Sequence, residues 1–163
     1  MGRWFRGCAV AVAFFVTGCT SAPPAVDVPP SFNLSGNWQL VPGQSDVPPT
    51  LLQLRARGGF LHLVTSDFCT LEARSLRIEQ DAQSMGIACD EGTWRDVSWG
   101  ERRRGLWEVQ AGWLEDALVI LSDAQDARAS ESFRLEGDRL LTIVIELEAG
   151  GERIAITRTF TRV

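Results

Sequence analysis

The chain has 163 residues, a formal net charge of −5, no lysine and six tryptophans, with 45% hydrophobic residues. That is enough apolar material for one domain with a substantial core. The acidic balance disfavours nucleic acid and anionic headgroups as general partners. The absence of lysine excludes Schiff-base chemistry and a phosphate-loop lysine, and neither a G-x-S-x-G elbow nor a G-x-G-x-x-G turn occurs.

Arg3 and Arg6 precede the wholly apolar run AVAVAFFV at residues 9–16. Spanning a bilayer takes about 20 apolar residues, so the run reads as a targeting segment. Val16-Thr17-Gly18-Cys19 then resembles the lipobox of bacterial lipoproteins. The resemblance implies cleavage after Gly18, a diacylglyceryl group on Cys19 and attachment of the mature protein to an envelope membrane. Thr20 stands where an aspartate would resemble an inner-membrane retention signal, so the analogy favours the outer membrane, facing the periplasm. The expected organisation is a signal peptide at 1–18, a lipidated N-terminus with a tether at 19–33 and one domain at 34–163. Pro23, Pro24, Pro29 and Pro30 hold the tether extended and outside the core.

On that reading Cys8 leaves with the signal peptide and Cys19 is lipidated, which leaves Cys69 and Cys89 in an oxidising compartment. A disulfide between them is expected, against the alternative of two buried thiols. Two cysteines and one histidine do not fill a tetrahedral metal shell, so no metal site is expected. Loss of Arg3 and Arg6 with the signal peptide takes the net charge from −5 to −7.

Beyond residue 34 the pattern is of short apolar or alternating segments separated by glycine, aspartate and asparagine, which predicts an all-β domain. Strands are expected at 36–41, 60–65, 76–80, 85–89, 93–99, 106–113, 117–122, 130–135, 139–147 and 153–161. Glu136-Gly137-Asp138 and Gly150-Gly151 are hairpin signals. Period-two alternation places Trp107, Val109, Ala111 and Trp113 on one face. The same rule groups Leu141, Ile143, Ile145 and Leu147, and then Ile154, Ile156, Arg158, Phe160 and Arg162. Successive hairpins predict an antiparallel up-and-down meander that closes into a β-barrel or folds into a flattened sandwich.

Gly36-Asn37-Trp38 resembles the glycine-x-tryptophan opening of the first strand in lipocalins and their calycin relatives. The resemblance implies a lipocalin-like barrel in which an arginine of the last strand, Arg158 or Arg162, stacks across Trp38 and seals one end. The alternative is a core tryptophan with arginines that snorkel to solvent. The small periplasmic inhibitors of metalloproteases also resemble this chain in pairing such a barrel with one disulfide. Residues 41–60 are an irregular excursion that the calycin resemblance does not explain.

Chemistry-bearing residues are sparse. His62 is the sole histidine and, on a strand, could serve as base to Ser66; a strand histidine without chemistry is the preferred reading. Asp123 and Asp126 read as a solvated loop rather than a calcium site. No two carboxylates stand out as inward-facing acids. Glu101-Arg102-Arg103-Arg104 reads as a charged hairpin tip, with lipopolysaccharide phosphates or an acidic protein as the alternative use. No catalytic set and no cofactor site are expected. The functional expectation is a non-enzymatic binding or accessory domain holding a small apolar ligand in the barrel mouth. A protein-binding inhibitor of an exported hydrolase is the second reading, and a hydrolase centred on His62 the last.

Overall fold

The computed structural model describes residues 24–50, 53–55, 60–90, 92 and 94–163; the targeting segment and Cys19 lie outside the described residues. Ten strands, β1 (Gly36–Leu40), β2 (Ser75–Gln80), β3 (Ser84–Cys89), β4 (Trp94–Ser98), β5 (Gly100–Arg104), β6 (Trp107–Leu114), β7 (Ala117–Ala124), β8 (Ala127–Glu136), β9 (Leu140–Ala149) and β10 (Glu152–Arg162), form a single sheet. Its order is β4-β3-β2-β1-β10-β9-β8-β7-β6-β5, antiparallel throughout, and it curls into a nearly closed lipocalin-like barrel. The two sheet edges are β4 and β5. They follow one another in the chain, with only Trp99 between them, yet they form no ladder. The barrel therefore has one open seam.

Two segments depart from the sequence reading. Residues 60–65 are not a strand: Leu61–Val64 form one turn of helix, α1, followed by 3-10 turns at Thr65–Asp67 and Cys69–Leu71. A short apolar run does not distinguish a strand from a single helical turn. Here Leu61 is buried while Phe60 and Leu63 stay exposed. Conversely, Gly100–Arg104 is not a hairpin tip but strand β5, paired along its length with β6. Its charges mislead because an edge strand at an open seam buries little of either face.

The long β1–β2 connection caps one end of the barrel, burying Leu54, Leu61, Phe68 and Leu71. Cys69 of this cap is joined to Cys89 at the end of β3 in a disulfide with 5.9 Å between the Cα atoms. At the opposite end, Arg162 lies over Trp38, with its guanidinium carbon 4.2 Å from the ring centroid. The two residues are register partners across β1 and β10. The guanidinium also donates to the carbonyls of Asn33 (2.9 Å), Ser35 and Asp138 (2.6 Å), while the Trp38 indole N–H donates to Leu34 O at 2.8 Å. Gly36 is required here: its φ is +141°, and a Cβ would sit 2.8 Å from Arg162 Nη1. Arg158 faces inward on the same strand but does not stack on Trp38. It lies four residues toward the cap and donates to Asp46 O (2.8 Å) and Ala73 O (2.7 Å), clamping the cap to β10.

Residues 24–33, expected as a free tether, are docked on the barrel. Ala25 and Trp113 exchange backbone hydrogen bonds of 2.8 and 2.7 Å, and Phe32 is buried edge-on against Trp113 at 6.0 Å. The pairing of β5 with β6 ends at Gly100 opposite Ala111, so Trp113 presents an unpaired edge that Ala25 completes. Proline content lowers helix and ladder propensity without forbidding one such bridge. A Cβ on Gly112 would come within 2.4 Å of Ala25 O. Gly112→Ala is therefore expected to lift this strap. Amide hydrogen exchange should show protection lost at Ala25 and Trp113 and kept in β8 and β9; unchanged protection at Ala25 would contradict the docking.

The disulfide closes a loop of 20 residues, for which chain entropy gives about 3 kcal/mol. Urea denaturation of Cys69→Ser/Cys89→Ser is expected to show a loss of that order, with the cap losing exchange protection before the barrel.

Candidate functional site

Strand parity determines what faces the barrel interior. On β4, Arg95 and Val97 stand opposite Ile87 and Met85 of β3, all buried. On β8, Ala129, Glu131 and Phe133 form the inward row. Arg95 and Glu131 meet inside the barrel in a bidentate pair: Nη1 donates to Oε1 at 2.9 Å and Nη2 donates to Oε2. Thr70 of the cap donates its hydroxyl to the same Oε1 at 2.7 Å. Glu131 is fully buried and Arg95 is 8% exposed. The Phe68 ring lies 5.6 Å from the Arg95 guanidinium carbon and packs edge-on against Trp107 at 5.3 Å. An inward-facing acid was not expected from the sequence. The signal was the parity of Ala129, Glu131 and Phe133, which sets a carboxylate in an otherwise apolar row.

Burial alone would raise the Glu131 carboxyl pKa. The Arg95 charge and its hydrogen bonds, then the Thr70 hydroxyl and the Arg104 charge, outweigh it and hold the group below the ordinary glutamate range.

On β5, Arg102 and Arg104 stand opposite Val109 and Trp107, the inward residues of β6, while Arg103 points outward to Glu108 at 3.4 Å. Three arginines thus face the seam from its two sides. They line a cleft of about 590 Å³ together with Trp107 and Asp67, and with Trp94 and Asp96 at its outer edge. Both carboxylates are engaged: Asp67 accepts the Trp107 indole N–H at 2.8 Å and Asp96 that of Trp94 at 2.9 Å. Burial, followed by the charge of Arg95, pushes the Arg104 guanidinium below its ordinary pKa.

A second concavity, about 300 Å³, opens at the barrel mouth between the cap and the loop ends. Its lining is mainly apolar, from Pro48, Pro49, Leu54, Phe68, Leu71, Ala73 and Ile154, with the Cys69–Cys89 bridge in the wall and Glu72 and Asp90 also bordering it. Ser66 and Cys69 border both clefts.

His62 lies on α1 rather than on a strand, and its Nδ1 is buried without a partner. The Ser66 hydroxyl donates to Leu63 O at 3.4 Å, so no His62–Ser66 hydrogen bond forms among the described residues. Asp123 is paired with Arg128 at 3.3 Å on the barrel surface.

The sequence matches no family model and no curated protein. Solved structures resemble the fold. The fluorescent protein UnaG shares 17% identity at a TM-score of 0.53, over 80% of this chain and 97% of that one. Lipid binding protein 8 of Caenorhabditis elegans shares 13% at 0.54, over 79% and 94%. Fatty-acid-binding protein 1 of Echinococcus granulosus shares 13% at 0.54, over 80% and 97%.

The pH dependence of stability follows from Glu131. Its folded pKa is lowered relative to an unfolded value near ~4.3, so the stability it contributes is fully present above the unfolded value and is lost as pH falls through the folded one. Glu131→Gln is expected to lower the thermal midpoint at neutral pH and to flatten the acid decline below about pH 4. An acid decline of unchanged steepness in the variant would show that other carboxylates carry it.

Proposed function

We propose that this protein is a lipid-anchored, non-enzymatic binding barrel of the bacterial envelope, held on the periplasmic side of the outer membrane through Cys19, that takes a small apolar ligand at its mouth. The observation that carries the reading is the apolar cleft between cap and barrel end, whose size lies at the lower bound for small-molecule sites, about 300 Å³. The fold supports it, because two of the similar structures are by name a lipid-binding and a fatty-acid-binding protein. The anchor rests on the lipobox resemblance at Val16-Thr17-Gly18-Cys19. With Ala25 docked on β6, only the few residues after Cys19 would separate lipid from barrel, at no more than about 3.6 Å each. A non-enzymatic role is supported by the Ser66 hydroxyl donating to Leu63 O while the His62 Nδ1 has no hydrogen-bond partner among the described residues.

A protein-binding role is the second reading. It is favoured by the exposed side chains Val47, Phe60, Leu63 and Leu106, all on the loops and cap of the mouth end.

Two measurements test the proposal. Cells expressing the chain should incorporate labelled palmitate in the wild type and none in Cys19→Ser; equal labelling overturns the anchor. The neutral fluorophore N-phenyl-1-naphthylamine should bind the wild type saturably. Glu72→Trp, which sets an indole at the exposed rim of the mouth cleft, should weaken that binding severalfold without changing the thermal midpoint. Equal binding by the variant moves the ligand elsewhere.

A further inference from the structure

The seam cleft carries a chemistry different from that of the mouth. We propose that it is an oxyanion site, in which Arg102 and Arg104 hold the phosphate or carboxylate of a small ligand between β4 and β5. Neither arginine forms an ion pair among the described residues, although acids outnumber arginines 21 to 16 in the chain. Arg102 spends one donor on the Ser98 hydroxyl at 2.8 Å, and Arg104 makes a long contact of 3.4 Å to Asp67 O. A guanidinium carries five N–H donors, so each keeps an unused donor edge. The nearby carboxylates Asp67 and Asp96 already accept indole N–H groups. Behind them Arg95, 92% buried, is bonded to Glu131 through both Nη atoms and leaves its Nε without a partner.

The two arginines are placed for this use by β parity. Residues 102 and 104 lie on the inward side of β5, two residues apart, and the missing β4–β5 ladder leaves the gap they line. Like charges side by side repel; on Arg104 the charges of Arg95 and Arg102 act against those of Glu131 and Asp67, and burial with the arginines prevails. An oxyanion there would accept forked hydrogen bonds from both. A planar substituent on it would lie against Trp107, the inward-facing tryptophan that borders the cleft.

The test is calorimetric titration of the full chain with phenyl phosphate, benzoate, inorganic phosphate and benzyl alcohol. Phenyl phosphate or benzoate should bind saturably and benzyl alcohol should not. Inorganic phosphate binding as tightly as phenyl phosphate would identify the free ion as the ligand, and weaker binding would identify an ester or acid with an aromatic body. Arg102→Gln/Arg104→Gln should weaken the anion by about tenfold or more, and Arg104→Gln alone should give a smaller loss should the double variant not fold. Arg103→Gln, on the outward side of the same strand, should leave affinity unchanged. Absence of saturable anion binding, or equal losses in Arg103→Gln and Arg104→Gln, overturns the site. Binding of N-phenyl-1-naphthylamine at the mouth is independent of either result.

Discussion

The barrel depends on one charged contact in its interior. Ten strands in a ring could form ten ladders, and this sheet forms nine. Where the tenth would run, β4 and β5 part, and β4 is left with one hydrogen-bonded neighbour. Arg95 of β4 reaches across the interior to Glu131 of β8, and Thr70 brings the cap to the same carboxylate. Burying two charges costs several kcal/mol per ion in effective terms. The bidentate geometry and the third hydrogen bond offset that cost and tie three separate parts of the fold together: an edge strand, a central strand and the cap.

The remaining closures follow from the same opening. The disulfide fixes the cap to β3, beside the strand the ion pair holds, and Arg158 fixes the cap to β10. At the far end the Trp38–Arg162 stack and the docked strap at Ala25 and Phe32 cover the interior. What stays open is the cap side of the seam and the mouth beside it, and both clefts lie there. Apolar lining at the mouth and arginine lining at the seam give the two openings different ligand chemistry, with Ser66 and Cys69 between them.

Much of this was legible in the residues. Alternation in β6, β9 and β10 marked the inward faces, and Arg162 over Trp38 is the contact expected of a glycine-x-tryptophan strand opposite a late arginine. Four features were not legible, each for a local reason. Phe60-Leu61-His62-Leu63-Val64 is an apolar run, broken only by His62, too short to separate strand from helix. Gly100–Arg104 hid its strand because four successive charged residues mask the pleat, although Arg102 and Arg104 take the parity of Val109 and Trp107. The proline-rich strap gave no sign that one of its residues would complete the edge of β6. Glu131 lay in plain alternation with Ala129 and Phe133, but its partner Arg95 is 36 residues away in sequence, and no local pattern joins them.

A double-mutant cycle on Arg95 and Glu131 measures whether this pair holds the seam. Arg95→Met and Glu131→Leu are each expected to destabilise the protein by about 3–5 kcal/mol and to speed amide exchange in β4, because each leaves one buried charge alone. The double variant should recover most of that loss. Additive losses in the double variant, or single variants whose β4 amides exchange as slowly as the wild type's, would show that the pair does not hold the seam.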